Sequence, residues 1–517
     1  MKKKIQYYEN EKLMEKEISY IPFHYILAIF SMVLSTLAVM AIVFILSYYV
    51  RYFYILSVIT QLVCILRIIN AEDNPEYKIP WLVFVMLVPI VGYMSYFMFY
   101  SRKLTKGQLK KMEKIKEALP KGDADLNGLS LELSCGILRV LCRQADTKVY
   151  KNTEITYYAL GEDMMTAILS DLASARQFIF LEYFILEEGI FWNAILKILR
   201  QKVKEGVEVR LLYDDIGCMT TLPGNYDKKL RKEGIQTRIF SKLLGKANNE
   251  FNNRSHRKIL IIDNQVGYTG GINIADEYIN QKKKYGHWKD GGVRLSGEAI
   301  AELTKLFLQD YELNGKCRSY DFSKYFPLYS KSSAEGYVIP FGDGPKPIYR
   351  YDIGKTLIMN LLQQARRYIY ITTPYLIIDN ELLQAIENAS LKGVDVRIIM
   401  PHIPDKRLVF LMTRSHYGRL LEHGVKIYEY EPGFIHFKSI ISDDEYALIS
   451  TINLDYRSLV HHFENGVLLY RSPVIPEIKE DIQHTISVSI PIDKSPLKNN
   501  LFYRLLKSLI KIFSPLL

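Results

Sequence analysis

The chain has 517 residues and a formal net charge of +11, with a pI near 9.0. This length allows more than one domain, and the positive charge favours an anionic partner such as nucleic acid, a phosphate ester or an acidic lipid surface. The five cysteines are odd in number and lack metal-ligand spacing, which argues against a disulfide framework or a zinc site.

The first hundred residues are predicted to be a membrane region, residues 1–101, with two or three transmembrane helices. Apolar runs at 25–46, 52–69 and 81–100 are each close to the about 20 residues that a helix needs to cross a bilayer. A cleavable signal peptide has a shorter apolar segment of about 7 to 15 residues, and it would leave the second and third runs in place.

Basic residues flank these runs on both sides and bear on the orientation of the chain in the membrane. Lysines occupy positions 2–4, and lysine and arginine are dense between 102 and 116, in a juxtamembrane linker predicted at 102–149. Positive charge favours the cytoplasmic side, but three spans cannot place both clusters there. Either the second run is re-entrant or interfacial, or the N-terminus lies outside; we expect the soluble part to be cytoplasmic.

From about residue 150 the chain alternates helical stretches with short apolar runs, which predicts an α/β fold. The same order of elements returns later: 175–179 resembles 365–369, and 206–210 resembles 393–397. Gly234 and Gly424 each follow a predicted helix and precede a strand. An internal duplication of a domain of roughly 150 residues explains these matches.

The predicted soluble part therefore has two tandem α/β domains, at 150–316 and 348–495, joined by a linker at 317–347 that is rich in Ser, Lys, Gly and Pro. Residues 496–517 are predicted to form a basic amphipathic helix, with apolar side chains on one stripe and lysine and arginine on another. Such a helix fits either an anionic membrane surface or the protein's own core.

One motif occurs twice in the predicted duplication. His256 and Lys258 precede an apolar, β-branched run, and Asp263 follows it at the start of a turn. The same spacing recurs 180 residues later, and two asparagines keep that offset. The second set comprises His436, Lys438 and Asp443, and the asparagines are Asn273 and Asn453.

Two such triplets brought together by a twofold relation suggest one shared site for a phosphodiester. One imidazole would attack phosphorus and form a phosphohistidine, and the other would carry the proton. Lysines would stabilise the charge of the transition state, with asparagine amides adding hydrogen bonds. A metal site is the competing interpretation, but a lysine two residues from each histidine would repel an ion, so we expect neither metal nor cofactor.

Asp290 and Glu464 occupy equivalent places before a strand in the two halves. Either could hold the proton on one nitrogen of its histidine and leave the other nitrogen free to attack. The alternative is that both are ordinary surface acids.

These motifs resemble the paired signature of the phospholipase D superfamily, and the whole chain is similar to bacterial cardiolipin synthases. Further matching stretches lie at 74–81, 88–92, 181–184, 213–217, 373–375 and 453–458. The resemblance implies two tandem phospholipase D-like α/β domains behind N-terminal transmembrane helices. Two features depart from the usual pattern: Phe437 replaces a small residue, and Ser450 and Thr451 stand where a glycine is common. They bear on the acceptor alcohol.

The reaction implied is transfer of a phosphatidyl group between two phosphatidylglycerol molecules, giving cardiolipin and glycerol. By the same analogy, His256 is the nucleophile, His436 is the acid and base, and Asn273 and Asn453 line the phosphate. The implied partners are phosphatidylglycerol and anionic membrane lipid, without nucleic acid. The alternatives are a hydrolytic membrane phospholipase D, a phosphatidyltransferase with another acceptor, a nuclease and a non-catalytic membrane scaffold. The implied catalytic set is His256, Lys258, Asp263, His436, Lys438 and Asp443.

Overall fold

The computed structural model describes residues 2–9, 12–19, 23–49, 51–100, 106–120, 136–242, 252–316, 320–327 and 334–494. The amphipathic helix predicted at 496–517 lies outside these residues. Parts of the two predicted linkers also lie outside them.

The N-terminal region consists of a hairpin followed by helices. Its elements are β1 (Lys2–Glu9), β2 (Lys12–Ser19), α1 (Phe23–Tyr49), α2 (Arg51–Asn70), α3 (Pro75–Leu87) and α4 (Pro89–Phe99). Many apolar side chains of α1 and α2 are exposed, including Phe30, Phe44 and Leu66, which is typical of a surface that contacts lipid. Among the described residues, one helix, Tyr52–Asn70, is long and apolar enough to cross a membrane, with a mean hydropathy of 2.0.

The apolar run predicted as a third span at 81–100 is not one continuous helix. Val88 departs from helical geometry, with φ −131° and ψ 75°, and Pro89 begins a new helix, α4. Proline lacks the N–H that would continue a helix and clashes with the preceding turn. The resulting helices have 13 and 11 residues, fewer than the about 20 needed for a span. Tyr77 and Trp81 of α3 pack instead with Ile68 of α2 and Tyr96 of α4.

The region predicted as a linker at 102–149 contributes to the core. It contains α5 (Lys106–Ala118) and α6 (Gly136–Ala145). Met112 and Ile115 of α5 and Leu141 of α6 are buried in the same apolar cluster as both large sheets. This region therefore packs on the soluble part of the chain.

The first half is built on a mixed sheet with the order β3-β10-β8-β7-β4-β5-β6 within the described residues. β4, β5 and β6 are parallel, and the remaining neighbours are antiparallel. All six residues of β4 are buried, as expected for a central strand that is covered on both faces. The elements are β3 (Thr153–Tyr158), α7 (Gly161–Ser174), β4 (Phe178–Tyr183), α8 (Ile190–Lys204), β5 (Glu208–Asp214), α9 (Tyr226–Lys232), β6 (Gln236–Phe240), β7 (Ile259–Ile262), β8 (Val266–Gly270), β9 (His287–Lys289), β10 (Gly292–Gly297) and α10 (Ile300–Leu313).

The second half repeats this sheet with the order β11-β20-β18-β17-β12-β14-β15 and adds β21 at its edge, within the part of the chain described. Position by position, the strands correspond to those of the first sheet, which confirms the predicted duplication. The elements are β11 (Tyr337–Asp343), α11 (Ile353–Gln364), β12 (Tyr368–Thr372), β13 (Leu376–Ile377), α12 (Asn380–Leu391), β14 (Asp395–Pro401), α13 (Arg407–Glu422), β15 (Lys426–Tyr430), β16 (Gly433–Ile435), β17 (Ser439–Ser442), β18 (Tyr446–Ser450), β19 (Leu454–Asp455), β20 (Glu464–Tyr470), α14 (Ile475–Ser487) and β21 (Ser489–Ile492).

Two details of the sequence reappear in the backbone. Gly234 and Gly424 follow α9 and α13 with φ of 85° and 82°, the left-handed conformation that commonly ends a helix at glycine. The boundary of the second half differs from the prediction. Strand β11 lies within the predicted linker 317–347 but pairs with β20, so the second sheet begins before residue 348.

The halves meet along a seam formed by short strand pairs. β9 of the first half runs parallel to β16 of the second, and Ser255 forms a bridge to Phe463. Both contacts lie immediately beside the repeated His-x-Lys motifs. The twofold arrangement therefore places the two motifs at one interface.

Candidate active site

Each repeated motif begins at the carboxyl end of a central strand. β7 is antiparallel to β4 with Ile259 opposite Glu182, and β17 is antiparallel to β12 with Ser439 opposite Thr372. His256 and Lys258 thus precede β7 at the end of the first sheet where sites in α/β proteins usually lie. His436 and Lys438 have the equivalent place before β17.

The backbone of each motif is hydrogen-bonded to the other half. The His256 N–H donates to the Phe463 carbonyl oxygen at 2.8 Å, and the His436 N–H donates to the Lys289 carbonyl oxygen at 2.8 Å. Both histidines are buried, with exposed fractions of 6% and 8%. The structure therefore brings both histidines and both lysines to one buried seam.

Glu182 and Asp214 fix the residues before His256, and they lie in two of the stretches that match the family, 181–184 and 213–217. Arg254 donates to the Asp214 carboxylate at 2.8 Å, and the Ser255 N–H donates to the same carboxylate at 3.1 Å. The Ser255 hydroxyl donates to Glu182 Oε1 at 2.6 Å. These buried contacts hold Arg254 and Ser255, the two residues before His256, in place.

The carboxylates pair with the histidines across the seam. His256 Nδ1 lies 3.0 Å from each Glu464 oxygen, and His436 Nδ1 lies 2.6 Å from Asp290 Oδ2. Glu464 and Asp290 are both fully buried, so the alternative that they are surface acids is wrong. Each histidine is held by a carboxylate of the opposite half.

Burial sets the protonation of the imidazoles. It lowers the pKa of His256 to about 3, against the opposing charge of Glu464. Burial, together with Lys438 and Lys258, lowers the pKa of His436 well below its ordinary value. Both imidazoles are therefore neutral at pH 7. For His256, whose Nδ1 faces only the Glu464 carboxylate, this places the proton on Nδ1 and the lone pair on Nε2.

The lysines are held close to the histidines of their own motifs. Lys258 Nζ donates to the His256 carbonyl oxygen at 2.6 Å, and Lys438 Nζ lies 2.8 Å from His436 Nδ1 and donates to the His436 carbonyl oxygen. Burial lowers the pKa of Lys438 to about 8, although Asp290 and Glu464 oppose this. Burial also lowers the pKa of Lys258 well below its ordinary value. A bound anion would raise the pKa of both lysines again.

The two carboxylates differ in their own titration. Burial raises the pKa of Asp290 to about 6, with Lys438 opposing. Burial alone would raise the pKa of Glu464, but the His256 imidazole and its hydrogen bond outweigh it and keep this pKa below the ordinary value. Glu464 also accepts a hydrogen bond from the Thr451 hydroxyl.

The departure from glycine in the second motif has a structural reason. A Cβ at Gly271 would lie 2.0 Å from Asp290 Oδ1, so this position must lack a side chain. At the equivalent position the Thr451 hydroxyl donates to Glu464 and accepts from the Asn465 N–H at 3.0 Å. The longer Glu464 side chain therefore takes a hydrogen bond where Asp290 needs space.

Asp263 and Asp443 lie away from the histidines, and their inclusion in a catalytic set needs correction. Each follows the far end of a four-residue strand, about 13 Å long at the usual rise per residue. Asp263 accepts the backbone N–H groups of residues 176–178, each at 2.7 Å. Asp443 accepts those of residues 366–368 at 2.8 to 3.0 Å. Both aspartates fix the start of a central strand.

The two predicted asparagines are buried but differ in their partners. Asn273 accepts the Ile185 N–H at 3.0 Å and donates to the Tyr278 hydroxyl at 2.8 Å. The Tyr278 ring lies 5.3 Å from the ring of His436. Asn453 Oδ1 is buried without a hydrogen-bond partner among the described residues. Asn453 therefore has hydrogen-bonding capacity available for a ligand.

Comparison with known proteins identifies the family. The family described as "Cardiolipin synthase, PLD-like domain" matches residues 168–310 and 358–486, and "Phospholipase_D-nuclease N-terminal" matches 59–99. A cardiolipin synthase of Alkalihalophilus pseudofirmus is 36% identical over 86% of this chain and 90% of its own length. The chain belongs to the cardiolipin synthase family of the phospholipase D superfamily. It is an enzyme of the phosphatidyltransferase type.

Two further proteins are similar to this chain. A Streptococcus mutans protein is 40% identical over 88% of this chain and 99% of its own length. The crystal structure of phosphatidylserine synthase from Haemophilus influenzae shares the fold, with a TM-score of 0.57 at 16% identity, covering 74% of this chain and all of that one. The two halves therefore share the fold of that structure.

His462 also lies in the candidate site of this chain, although no sequence pattern had predicted it. Its ring lies 5.6 Å from the His256 ring, and its Nδ1 lies 3.7 Å from Glu464 Oε1. The sequence signal for it is a pair of histidines two and three residues before Glu464. Phe184 belongs to the matching stretch 181–184, and its ring lies 5.2 Å from that of His256.

Three of these groups could together contact a cation. Ligand atoms of His256, His462 and Glu464 all lie within 4.8 Å of one another, and two imidazoles with a carboxylate are a known set for zinc. Lys258 stands beside His256, and its positive charge lowers the histidine pKa. The same charge would repel an ion, so the donor set fits a metal poorly.

Proposed function

We propose that this phosphatidyltransferase moves a phosphatidyl group between two phosphatidylglycerol molecules, giving cardiolipin and glycerol, through a phosphohistidine. The observation that carries the proposal is the pair of buried neutral imidazoles, each held at Nδ1 by a carboxylate of the other half and accompanied by a lysine. This set offers one nucleophile, one proton carrier and positive charge for a phosphoryl group.

In the first step, His256 Nε2 attacks the phosphorus of the donor lipid. A bond forms between this nitrogen and phosphorus, and the bond from phosphorus to the glycerol headgroup breaks. His436, protonated in the substrate complex, gives its proton to the leaving glycerol oxygen. The bound phosphodiester adds negative charge beside His436 and Lys438, which raises the pKa of both groups above their values in the empty site.

In the second step, a hydroxyl of the second phosphatidylglycerol attacks the phosphohistidine. Its proton passes to His436, the bond from His256 to phosphorus breaks, and cardiolipin forms. His436 thus acts as acid and then as base, so proton transfers balance over the cycle. Lys258 and Lys438 would stabilise the charge that spreads over the phosphoryl oxygens in both transition states.

The assignment of His256 as the nucleophile is supported by a difference between the two imidazoles. His256 Nδ1 faces both oxygens of an ionised Glu464, which favours a tautomer with its lone pair on Nε2. His436 Nδ1 is shared between Asp290 and the Lys438 ammonium. Asp290 titrates near neutral pH, a property suited to a histidine that exchanges protons.

We also propose two membrane crossings, made by α1 and α2, with the soluble halves on the cytoplasmic side. The break at Pro89 leaves α3 and α4 too short to span. Two crossings place the basic N-terminus and the basic residues after α4 on the same side, as the positive-inside tendency requires. This arrangement removes the conflict that three spans created.

The decisive experiment supplies the purified full-length protein with phosphatidylglycerol vesicles and measures lipid and glycerol. We expect cardiolipin and glycerol in equal amounts, with activity abolished in His256→Ala. The matched control is His423→Ala, which changes a half-buried histidine whose Nδ1 lies near the Arg419 carbonyl oxygen. Accumulation of phosphatidic acid without cardiolipin would establish a hydrolytic enzyme. Unchanged activity in His256→Ala would contradict the mechanism.

A further inference from the structure

The first turn of α3 is hydrogen-bonded to the second half of the soluble part. Asn74 caps α3 by accepting the Glu76 N–H at 2.9 Å, and its amide donates to Asp379 Oδ2 at 2.7 Å. Glu76 accepts the Asn380 N–H at 2.9 Å and also accepts the Tyr456 hydroxyl. The N-terminal region therefore makes specific polar contacts beyond its own helices.

The next residue of α3 makes an aromatic contact with the same part of the second half. The Tyr77 ring lies 5.3 Å from the His461 ring, and Tyr77 is only 2% exposed. Tyr456 and His461 lie at the two ends of a short π-helical turn, Arg457–His461, whose preceding residue is Tyr456. Helix α3 thus contacts this turn at both ends.

Residues of the candidate site flank this turn on both sides. Asn453 lies three residues before Tyr456, His462 follows His461 directly, and Glu464 lies two residues further along. His462 packs against the His256 and Phe184 rings at 5.6 and 6.4 Å. A π-helical turn is rare and is often found at functional sites. The contacts that α3 makes with this turn therefore help to define where the turn places Asn453 and His462.

We propose that Glu76 and Tyr77 are positioning residues of the active site, which hold the Tyr456–His462 segment and thereby keep His462 packed against the His256 and Glu464 pair. The proposal rests on the phosphatidyl transfer proposed above. The N-terminal helical region then has a second role besides membrane attachment. By holding His462 in place, it closes one side of the site in which the acceptor meets the phosphohistidine.

Loss of this contact has a specific chemical consequence. A displaced His462 opens the wall beside His256, so water competes with the second phosphatidylglycerol for the phosphohistidine. The ratio of phosphatidic acid to cardiolipin then rises. This ratio does not depend on the amount of folded enzyme, so a purely structural loss of active molecules leaves it unchanged.

The test compares full-length variants in membranes, at equal membrane-bound amounts, with phosphatidylglycerol as substrate. Tyr77→Ala and His461→Ala are each expected to raise the ratio of phosphatidic acid to cardiolipin about fivefold or more. The double variant is expected to match the single variants, because both remove the same contact. Tyr77→Phe keeps the ring and is expected to behave as the wild type.

Ile79→Ala is the matched control, because Ile79 lies on the same helix but is 45% exposed, and it should leave the ratio unchanged. A wild-type ratio in Tyr77→Ala, or an additive double variant, would overturn the inference. If Tyr77→Ala does not accumulate, Glu76→Gln and Tyr456→Phe form a second cycle with the same expectation. A wild type that makes no cardiolipin contradicts the proposed function instead, and the effect of each variant is then scored as consumption of phosphatidylglycerol.

Discussion

The properties of single residues in this site follow from pairing buried groups across the seam. A carboxylate of the opposite half lies at Nδ1 of each imidazole, and burial lowers the pKa of both histidines. The same burial weakens the lysine charges and brings the pKa values of Asp290 and Lys438 close to neutral pH. The site is thus tuned by a shared low-dielectric environment.

Replacing Glu464 should test whether its carboxylate orients the His256 imidazole. In Glu464→Gln the charge that favours Nδ1–H on His256 is lost, so we expect the rate of cardiolipin formation to fall about 10³-fold or more, as when a carboxylate that orients a histidine is replaced by its amide. Glu445→Gln, at a partly exposed acid, is the control and should retain full activity. A Glu464→Gln enzyme within a factor of three of the wild type would contradict this role.

The order of the two histidines can be read from the covalent intermediate. With phosphatidylglycerol labelled at phosphorus, we expect label on the denatured wild-type protein, stable to base and labile to acid. His256→Ala should carry no label. Label that persists in His256→Ala and disappears in His436→Ala would reverse the assignment.

The pH dependence of kcat/KM should show two limbs. Asp290 has its pKa raised to about 6, so it loses its charge as pH falls below about 6 and no longer holds His436. Lys438 has its pKa lowered to about 8, so its positive charge is lost as pH rises above about 8. Activity should therefore be highest between these values, because kcat/KM reports the free enzyme.

Lys438→Arg tests the alkaline limb, because arginine stays protonated in this range. In a Lys438→Arg enzyme that retains measurable turnover, the fall above pH 8 should move to higher pH while the acid limb stays in place. An unchanged alkaline limb would assign it to another group.

Among the elements, the repeated spacing of the two motifs places the histidine and lysine at one end of a strand and a structural aspartate at the other. β7 and β17 carry His and Lys before their first residue and Asp after their last. The aspartates adopt positive φ values of 53° and 57° and accept three backbone N–H groups each. One short strand therefore links the site to the start of the neighbouring central strand.

Asp263→Ala should lower stability while leaving the chemistry of folded molecules intact. The loss of three accepted hydrogen bonds should cost about 2 to 3 kcal/mol in the free energy of unfolding. Asp263→Asn should cost less, because asparagine tolerates the left-handed conformation and keeps an acceptor oxygen. Thermal unfolding in detergent provides the comparison. An inactive Asp263→Ala protein with unchanged stability would restore a chemical role.

At the scale of the whole molecule, the duplication builds one site from two halves. Each half supplies a histidine, a lysine and the carboxylate for the other half's histidine, so neither half holds a complete imidazole–carboxylate pair. The interface between them is continuous with the apolar core, in which residues of both sheets pack in one cluster. The N-terminal helices attach beside the second half at Asp379 and Tyr456.

The proposed two crossings make a prediction about topology. A reporter placed at the N-terminus and a cysteine introduced on the exposed surface of α12 should both be labelled only after the cytoplasmic face is opened. The α12 position is Leu391, which is exposed. Labelling of the two sites from opposite faces would require an odd number of crossings and would contradict the role assigned to the α3–α4 break.

The spacing of residues along the chain was enough to predict the duplication, the family and the two His-x-Lys motifs that meet at the seam. Spacing along the chain carries this information, since a repeated pattern of strands, helix-ending glycines and paired motifs folds twice in the same way. It also indicated Asp290 and Glu464 as possible orienting groups, by their equivalent places in the repeat.

The contacts between these groups became visible in the folded protein. It paired each carboxylate with the opposite histidine, moved Asp263 and Asp443 out of the site, broke the third apolar run at Pro89 and brought His462 beside His256. These contacts join residues that are far apart in sequence, so local pattern does not specify them. They depend on how the two halves and the N-terminal helices pack together.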